Sequence, residues 1–229
     1  MKNPSEVRVE LAAGETTALI YAAGDRSIGA TLILGHGAGA EQRSAFMVDF
    51  ARALSALGLD LVTFNFLYTE QRRRIPDRAP VLEACYRAVV DTVRRHVSSA
   101  SRHLFIGGKS MGGRIATQIA AADPDLPIDG LVLLGYPLHP PGRPDRKRDK
   151  HLPSIRRPML IVQGSRDAFG LPAELDPILG RLTPRPVLEV VASGDHSFKL
   201  PRKDPAAQDA VLAGVQRSVA NWIASIVER

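Results

Sequence analysis

The chain alternates short apolar strand patterns with helical patterns along most of its 229 residues, and this alternation limits its fold more than any other feature. Strands that are separated by helices pair in parallel, and the helices then cover both faces of the sheet. The strand patterns lie at Ala30–Leu34, Leu59–Phe64, His103–Ile106, Gly130–Leu134, Met159–Val162 and Val187–Val191. The sequence therefore predicts an α/β architecture with a mostly parallel central sheet.

The first residues have a different pattern. Val7–Leu11 and Thr17–Tyr21 flank a short turn, which predicts a starting antiparallel hairpin. Helical patterns lie at Ser44–Leu57, Val81–Val97, Gly112–Ala121 and Ala206–Val227. The chain has no internal repeat, and single domains of this length are common, so we expect one domain over residues 1–229.

Two connections are long enough to influence a site. Asn65–Pro80 and Tyr136–Pro158 both exceed the ~12–15 residues beyond which loops are usually functional or mobile. Neither is long enough for an independent lid. We therefore expect no large cap domain and an open or lightly covered site.

The net charge of +6 raises the question of a nucleic-acid partner. The positive charge is concentrated around Arg72–Arg74 and Arg143–Lys150, where Pro and Asp are interspersed and aromatic residues are few. Such loops are typical of solvated connections rather than of a base-stacking surface, so no nucleic-acid partner is predicted. A basic rim that favours acidic substrates stays open, with Arg43 and Arg72–Arg74 as hypothetical ligands for a substrate carboxylate.

Targeting signals and disulfides are not indicated. No run of ~20 apolar residues is present, so no membrane span is predicted. The first residues lack the apolar segment of a secretory signal, and the single cysteine, Cys85, has no partner for an internal disulfide. We expect a cytoplasmic location. Composition gives no indication of the oligomeric state.

A G-x-S-x-G motif, formed by Gly108, Ser110 and Gly112, lies between a strand pattern and a helix pattern. A serine on such a sharp turn exposes its Oγ, and its neighbours must be small because the strand and the helix approach closely. The free N–H groups of the helix N-terminus favour developing negative charge. The motif predicts that Ser110 is a nucleophile, and a helix-capping serine is the alternative.

This motif in this context is typical of the α/β-hydrolase fold, in which the order along the chain is Ser, then Asp or Glu, then His. Among six histidines, only His196 follows an acid that is placed after Met159–Val162. Asp167 lies in the loop after that strand. We predict that His196 removes the Ser110 proton and that Asp167 orients its imidazole. Taken singly, Asp167 and His196 are also ordinary loop residues.

The loop Gly35–Ala40 directly follows an apolar strand and is rich in glycine. In this fold such a loop supplies one oxyanion-hole N–H, and the residue after the nucleophile supplies the other. We assign these two groups to Ala38 and Met111. His36 is expected to brace the loop rather than to transfer protons, because it precedes Ser110 in the chain.

Four side chains that follow strands are candidate substrate-binding residues, namely Phe66, Tyr68, Tyr136 and His139. The three aromatic residues among them are equally typical of ordinary packing. A phosphate-binding loop is excluded because it would need a glycine where His103 stands, and the other glycine-rich loop lacks the complete dinucleotide fingerprint. Histidine and cysteine lack ligand spacing, so no metal and no organic cofactor is predicted.

Several segments together resemble a known family. They are His36–Ala40, Gly107–Arg114, Gly164–Asp167 and Gly194–Phe198, with Asp77–Pro80 and Leu134–Leu138 in support. They resemble the small cap-free α/β-hydrolases that include the testis-expressed protein 30 group and, more distantly, the dienelactone hydrolases. The resemblance spans most of the chain and implies the fold, a hydrolase activity and the triad Ser110, Asp167 and His196. A dienelactone hydrolase typically has cysteine where Ser110 stands.

The predicted function is hydrolysis of a carboxylic ester, or of a thioester or amide, through an acyl-enzyme intermediate. The partner is then a small-molecule acyl substrate. A catalytically silent interaction protein of the same fold and a serine peptidase are the alternatives. A fluorophosphonate probe separates the silent protein from the enzyme, and a panel of esters and peptides separates the two enzymes.

Overall fold

The computed structural model describes residues 3–24 and 27–228. The strands are β1 (Ser5–Leu11), β2 (Gly14–Tyr21), β3 (Thr31–Gly35), β4 (Asp60–Phe64), β5 (Leu104–Lys109), β6 (Gly130–Leu134), β7 (Met159–Gly164) and β8 (Val187–Val191). They form one sheet in the order β1-β2-β4-β3-β5-β6-β7-β8. The pairs β1–β2 and β2–β4 are antiparallel, and the remaining pairs are parallel. The predicted sheet and hairpin are confirmed.

Helices cover both faces of this sheet. They are α1 (Ala45–Ala56), α2 (Leu67–Glu70), α3 (Ala79–His96), α4 (Met111–Ala122), α5 (Pro172–Leu179) and α6 (Pro205–Val227). Buried residues of α1 and α6 belong to one apolar cluster, and those of α3, α4 and α5 belong to another on the opposite face. The α/β-hydrolase fold class predicted from the sequence is confirmed. The one-turn helix α2 lies in a stretch for which no helix was predicted.

The central strands are apolar throughout because both of their faces are covered. Every residue of β3, β5, β6 and β7 is buried. Gly35 of β3 pairs with Gly108 of β5, which in turn pairs with Leu133 of β6. These strands therefore end at the same level, and the loops that follow them meet at one edge of the sheet.

The connection between β6 and β7 contains a short 3-10 turn, Leu152–Ser154, and the described residues form no large cap domain over the sheet edge. The site at that edge is left accessible to solvent. The site is partly covered by the two long connections that the sequence predicted, Asn65–Pro80 and Tyr136–Pro158.

The helix α6 is long and apolar enough, by length and composition alone, to cross a membrane. Its buried side chains Val215, Val219 and Ile223 belong to the same apolar cluster as Leu32 and Phe105 of the sheet. In this structure the helix therefore closes one face of the sheet. The absence of a membrane span stays a prediction from the sequence.

Candidate active site

Ser110 forms the turn between β5 and α4. The strand ends at Lys109 and the helix begins at Met111, so a single residue reverses the chain. Its backbone has φ 50° and ψ −111°, a conformation that costs an L-residue roughly 1–3 kcal/mol. The Ser110 N–H donates to the Leu134 carbonyl and the Ser110 carbonyl accepts from the Arg114 N–H, both at 3.0 Å. The adjacent strand and helix therefore hold the strained conformation in place.

The glycines of the elbow (Gly108–Gly112) are needed because the turn packs against the end of β3. A Cβ at Gly112 would lie 2.1 Å from the Gly35 carbonyl oxygen, and a Cβ at Gly108 would lie 2.3 Å from the same atom. Real Cβ atoms do not approach other atoms so closely. This contact places the loop that follows β3 directly beside Ser110.

The three residues predicted as a triad come together at this edge. The His196 Nε2 lies 2.8 Å from the Ser110 Oγ, and the His196 Nδ1 lies 2.7 Å from the Asp167 Oδ2. Asp167 follows β7 and its side chain is 0% exposed, whereas the His196 side chain is 19% exposed. A continuous path of hydrogen bonds therefore joins a buried carboxylate to a hydroxyl that solvent and substrate can reach.

The surroundings of Asp167 select one tautomer of the imidazole. The Asp167 Oδ1 accepts from the Phe169 N–H at 2.8 Å, and Oδ2 accepts from the Gln163 side-chain amide at 2.8 Å. An ionised carboxylate only accepts hydrogen bonds, so the His196 Nδ1 must carry its proton. The His196 Nε2 is then free to accept the proton of Ser110.

Gln163 was not identified from the sequence. It is the last polar side chain before the end of β7 and is 0% exposed. Its Oε1 accepts from the Tyr136 N–H at 2.8 Å, which fixes the orientation of the amide that donates to Asp167. Its position could have been noticed in the sequence, because Gln163 is a lone amide in the otherwise apolar strand Met159–Gly164.

Lys109 was also missed. Its side chain is buried, and its Nζ donates to the His196 carbonyl at 2.6 Å. Burial lowers the pKa of Lys109 to about 8, although the nearby carboxylates of Asp167 and Asp195 act in the opposite direction. The lysine therefore ties the elbow to the loop that carries His196. Its signal in the sequence was a charged residue inside a motif of small residues.

Ala38 and Met111, the predicted oxyanion-hole residues, both border the cavity beside Ser110. No hydrogen bond joins the N–H of either residue to another group in the described part of the chain. Met111 is the first residue of α4, so its N–H has no partner within the helix. Two N–H donors without a partner among the described residues thus belong to residues that border the cavity beside Ser110, and their role as an oxyanion hole stays a prediction.

His36 is locked between backbone groups. Its Nδ1 lies 2.8 Å from the Gly37 carbonyl, and its Nε2 accepts from the Phe66 N–H at 3.1 Å. The ring is 0% exposed, and burial lowers the pKa of His36 to about 4. These contacts join the loop after β3 to the loop after β4, which is the bracing contact expected of this residue.

A cavity of about 550 Å³ opens above Ser110 and His196, a size that is ordinary for small-molecule sites. Apolar wall residues include Ala38, Phe46, Met47, Leu82, Met111 and Phe169. The ring of Phe169 stacks on the imidazole of His196 with centroids 4.2 Å apart. The two long connections also contribute to the wall, since Pro76 and Pro137 border the cavity.

A family model described as an alpha/beta hydrolase domain matches residues 28–224 of the chain. The chain belongs to this family. The matched region contains the elbow, the loop after β3, and the loops that carry Asp167 and His196, so the resemblance inferred from the sequence is confirmed at the level of the family.

Solved structures share the fold of this hydrolase domain. An alpha-beta serine hydrolase homologue from Coxiella burnetii superposes with a TM-score of 0.74 at 19% identity, covering 94% of this chain and 97% of the other. A serine hydrolase without lid from Xanthomonas campestris gives 0.71 at 22%, covering 95% and 96%. The dienelactone hydrolase from Anabaena variabilis gives 0.74 at 20%, covering 98% and 99%. At these identities the similarity establishes the fold alone.

The four predicted substrate-binding residues do not border the cavity. Phe66, Tyr68, Tyr136 and His139 are 0%, 2%, 1% and 5% exposed, and this prediction was wrong. Phe66 and Tyr68 pack edge-on around His36. The Tyr136 hydroxyl donates to a backbone carbonyl of the β6–β7 connection, and the His139 Nδ1 faces the carbonyl of the next residue. All four side chains stabilise the loops behind the cavity wall.

The arginines that were hypothetical ligands for a substrate carboxylate also lie away from the cavity. The Arg43 guanidinium lies 3.2 Å from the Glu6 carboxylate, and the Arg73 guanidinium lies 2.7 Å from the Asp77 carboxylate. Neither Arg43 nor any residue of Arg72–Arg74 borders the cavity. Within residues 3–24 and 27–228, no three His, Cys, Asp or Glu side chains form a cluster that could hold a metal ion.

Proposed function

We propose that the chain is a serine hydrolase that cleaves a carboxylic ester through an acyl-enzyme intermediate. The observation that carries this proposal is the unbroken path of hydrogen bonds from the Asp167 carboxylate through His196 to the Ser110 hydroxyl. The path ends in a cavity of small-molecule size. Membership of the hydrolase family supports the same conclusion.

In the first half of the reaction, Ser110 attacks the ester carbonyl carbon. The His196 Nε2 takes the hydroxyl proton as the Oγ–carbon bond forms, and the Asp167 carboxylate stabilises the imidazolium. The N–H groups of Ala38 and Met111 bind the oxygen as it gains negative charge, and losing one such donor costs roughly 3–4 kcal/mol of transition-state stabilisation. The imidazolium then protonates the alkoxide, which leaves as the alcohol.

In the second half, water replaces the alcohol. The His196 Nε2 removes a proton from water as the water oxygen attacks the acyl carbon of the Ser110 ester. The tetrahedral intermediate then collapses, the imidazolium returns its proton to the Ser110 Oγ, and the acid leaves. The sum of both halves converts one ester and one water into one acid and one alcohol.

The strained backbone at Ser110 favours this enzyme over a silent protein of the same fold. Backbone strain of this kind clusters at active sites. Positive φ also occurs at Arg72, Ser193 and Phe198, so what favours the enzyme is the combination of positive φ at Ser110 with the hydrogen bond from its hydroxyl to His196.

The test begins with a fluorophosphonate probe on wild type and on Ser110→Ala. We expect labelling of wild type only, because the probe captures a serine that a neighbouring base activates. Ser101→Ala is a matched control, since Ser101 is exposed and follows α3 at the opposite edge of the sheet, and this variant should label as wild type does.

A panel of 4-nitrophenyl esters of increasing acyl length, beside thioesters and peptides, identifies the reaction. Ester turnover that disappears in Ser110→Ala supports the proposal. Folded protein that neither labels nor cleaves would indicate the silent interaction protein, and preferred cleavage of peptides would indicate a peptidase.

A further inference from the structure

Two arginines, Arg114 and Arg148, border the cavity that contains Ser110. Arg114 lies one helical turn after the nucleophile, since its N–H donates to the Ser110 carbonyl within α4. Residues four apart lie on the same helix face, about 6 Å apart along the axis. The position of Arg114 relative to the reacting hydroxyl is therefore set by the helix itself.

Arg148 reaches the same cavity from the β6–β7 connection. Its carbonyl accepts from the buried Tyr136 hydroxyl at 2.6 Å, and its N–H donates to the Leu138 carbonyl at 2.8 Å. These two contacts fold the basic connection back against the sheet edge. The backbone of Arg148 is thus fixed by buried groups, although the residues before it are exposed.

Within residues 3–24 and 27–228, the arginine pair (Arg114 and Arg148) lacks a carboxylate partner. Salt bridges there join other arginines to Asp or Glu but none joins these two. The side-chain hydrogen bond of Arg114 among these residues is to the Gln118 amide oxygen at 3.4 Å. Burial, and next the charge of Arg148, lower the pKa of Arg114. The two positive charges repel each other in the free protein, and an anion between them would remove this cost.

Carboxylates lie near the pair, but within the described residues none of them forms a salt bridge with it. Asp77 borders the same cavity; its Oδ1 binds Arg73, whereas its Oδ2 has no hydrogen-bond partner there, so this carboxylate places negative charge on the wall. Asp149 directly follows Arg148 and acts on Tyr136 and His151, as Arg114 does. Glu83 acts on Arg114 only as the weakest of its neighbours. His151 contacts the Thr117 hydroxyl of α4 through its Nε2. Burial, and next the charge of Arg114, lower the pKa of His151.

We propose that the arginine pair binds a carboxylate on the ester substrate, so that the enzyme prefers esters with one negative charge away from the scissile bond. This inference rests on the proposed ester hydrolysis. Guanidinium groups match the planar carboxylate with paired hydrogen bonds. A singly charged carboxylate is favoured over a doubly charged phosphate, because Asp77 already places one negative charge on the wall.

The kinetic test compares esters that differ only in charge. Mono-4-nitrophenyl glutarate against 4-nitrophenyl pentanoate places the carboxylate on the acyl side, and 4-acetoxybenzoate against phenyl acetate places it on the alcohol side. In one of the two comparisons we expect wild type to favour the anion in kcat/KM by roughly tenfold or more, since hydrogen bonds to charged groups are strong. High salt should reduce this preference.

Variants assign the preference to the pair. Arg148→Gln should lower the ratio of anionic to neutral kcat/KM roughly tenfold or more, and Arg114→Gln is the second variant if the first fails to fold. Arg146→Gln is the matched control, because Arg146 is an exposed arginine of the same connection that does not border the cavity. It should keep the wild-type ratio.

A binding measurement separates this inference from the proposed function. Glutaric acid monoamide, which carries a single carboxylate, should raise the melting temperature of wild type and of Ser110→Ala, but not of Arg148→Gln, since a ligand that binds only the native state stabilises it. Ester turnover with no charge preference in either series would overturn the inference and leave the hydrolase intact. If no ester is cleaved, the proposed function fails, and the stabilisation by the monoamide alone decides whether the anion site exists.

Discussion

Two loops at the carboxyl edge of the sheet each carry a histidine, and the two imidazoles have opposite surroundings. In the loop after β3, the ring of His36 is 0% exposed and both of its nitrogens meet backbone groups. In the loop after β8, the ring of His196 is 19% exposed and lies between a carboxylate and a hydroxyl. Burial lowers the pKa of His36 to about 4, so this ring is neutral near pH 7.

The difference between the two histidines shows that a catalytic base needs more than a position near the nucleophile. A histidine that transfers protons needs one nitrogen open to the reactant and a negative group that stabilises its charged form. His36 has neither, because its nitrogens hold two loops together. His196 has both. The comparison favours proton transfer at His196 and loop bracing at His36, although both histidines lie in loops that follow strands of the same sheet.

The largest effect is expected from His196→Gln, which removes the proposed base. We predict a fall in kcat of roughly a millionfold with little change in melting temperature, because the ring is partly exposed and fills no core space. Stopped assays with the best ester of the panel, beside thermal unfolding, measure both quantities.

His103→Gln is the matched control for this substitution, since His103 lies at the opposite end of β5, just before Leu104. It should retain wild-type activity. A fall of less than tenfold in His196→Gln would remove the distinction between the two histidines and, with it, the proposed mechanism.

Asp167→Asn should have the next largest effect. The amide that replaces the carboxylate can donate to the His196 Nδ1, and the ring would then hold its proton on Nε2, where it cannot accept from Ser110. A change of this kind costs roughly ten-thousandfold in kcat. The measurement is kcat/KM against pH. An Asn variant that retained most of its activity would show that another group fixes the tautomer.

Lys109→Met tests whether the His196 loop (Gly194–Phe198) depends on its contact with the elbow. The variant removes the donor to the His196 carbonyl, and we expect kcat to fall roughly ten- to a hundredfold, the range of a charge-assisted hydrogen bond. KM should change less, because the lost hydrogen bond positions His196, although Lys109 also borders the cavity. Since burial lowers the pKa of Lys109 to about 8, wild-type activity should also decline as the pH rises through 8.

The alkaline decline should be absent in Lys109→Met, which has no proton to lose there. Lys199→Met is the matched control, because Lys199 is an exposed lysine just beyond the same loop, and it should keep both the rate and the pH profile. Equal pH profiles in wild type and Lys109→Met would assign the decline to a different group.

The parts of this site that could be predicted from the sequence are those that a short, local sequence pattern marks. The elbow could be recognised because the reversal at Ser110 needs glycines at fixed positions within five residues. Asp167 and His196 could be placed because each follows a strand, and parallel strands end at one edge. Such reasoning identifies the edge of the sheet that a loop reaches.

The direction of individual side chains was not predictable in the same way. Phe66 and Tyr136 follow strands as expected, yet their rings turn into the core because burial of an aromatic ring outweighs its position at the edge. Arg148 reaches the cavity through backbone contacts with the Tyr136 hydroxyl, twelve residues earlier in the chain, and with the Leu138 carbonyl. No periodicity or motif marks a contact of that kind.

His36→Leu should have the smallest effect on activity. It tests the comparison of the two histidines at His36, the one that braces the loops. The variant leaves the Phe66 N–H without its acceptor, which costs roughly 1–3 kcal/mol of stability. Because the N–H donors of Ala38 and Met111 remain, kcat/KM should fall by less than about tenfold, equivalent to 1.4 kcal/mol. Urea unfolding at pH 7 and the ester assay measure these two changes.

The pH dependence of the free energy of unfolding should distinguish wild type from His36→Leu. An unfolded histidine binds a proton below about pH 6.5, whereas the pKa of His36 in the folded protein is lowered to about 4. Between these values the unfolded state binds more protons, so the free energy of unfolding falls as the pH is lowered, by on the order of 3 kcal/mol in total. His36→Leu should lose this part of the slope, and His103→Gln should keep it. If wild type and His36→Leu lost stability equally between pH 6.5 and pH 4, His36 would not be the neutral, buried brace that its contacts indicate.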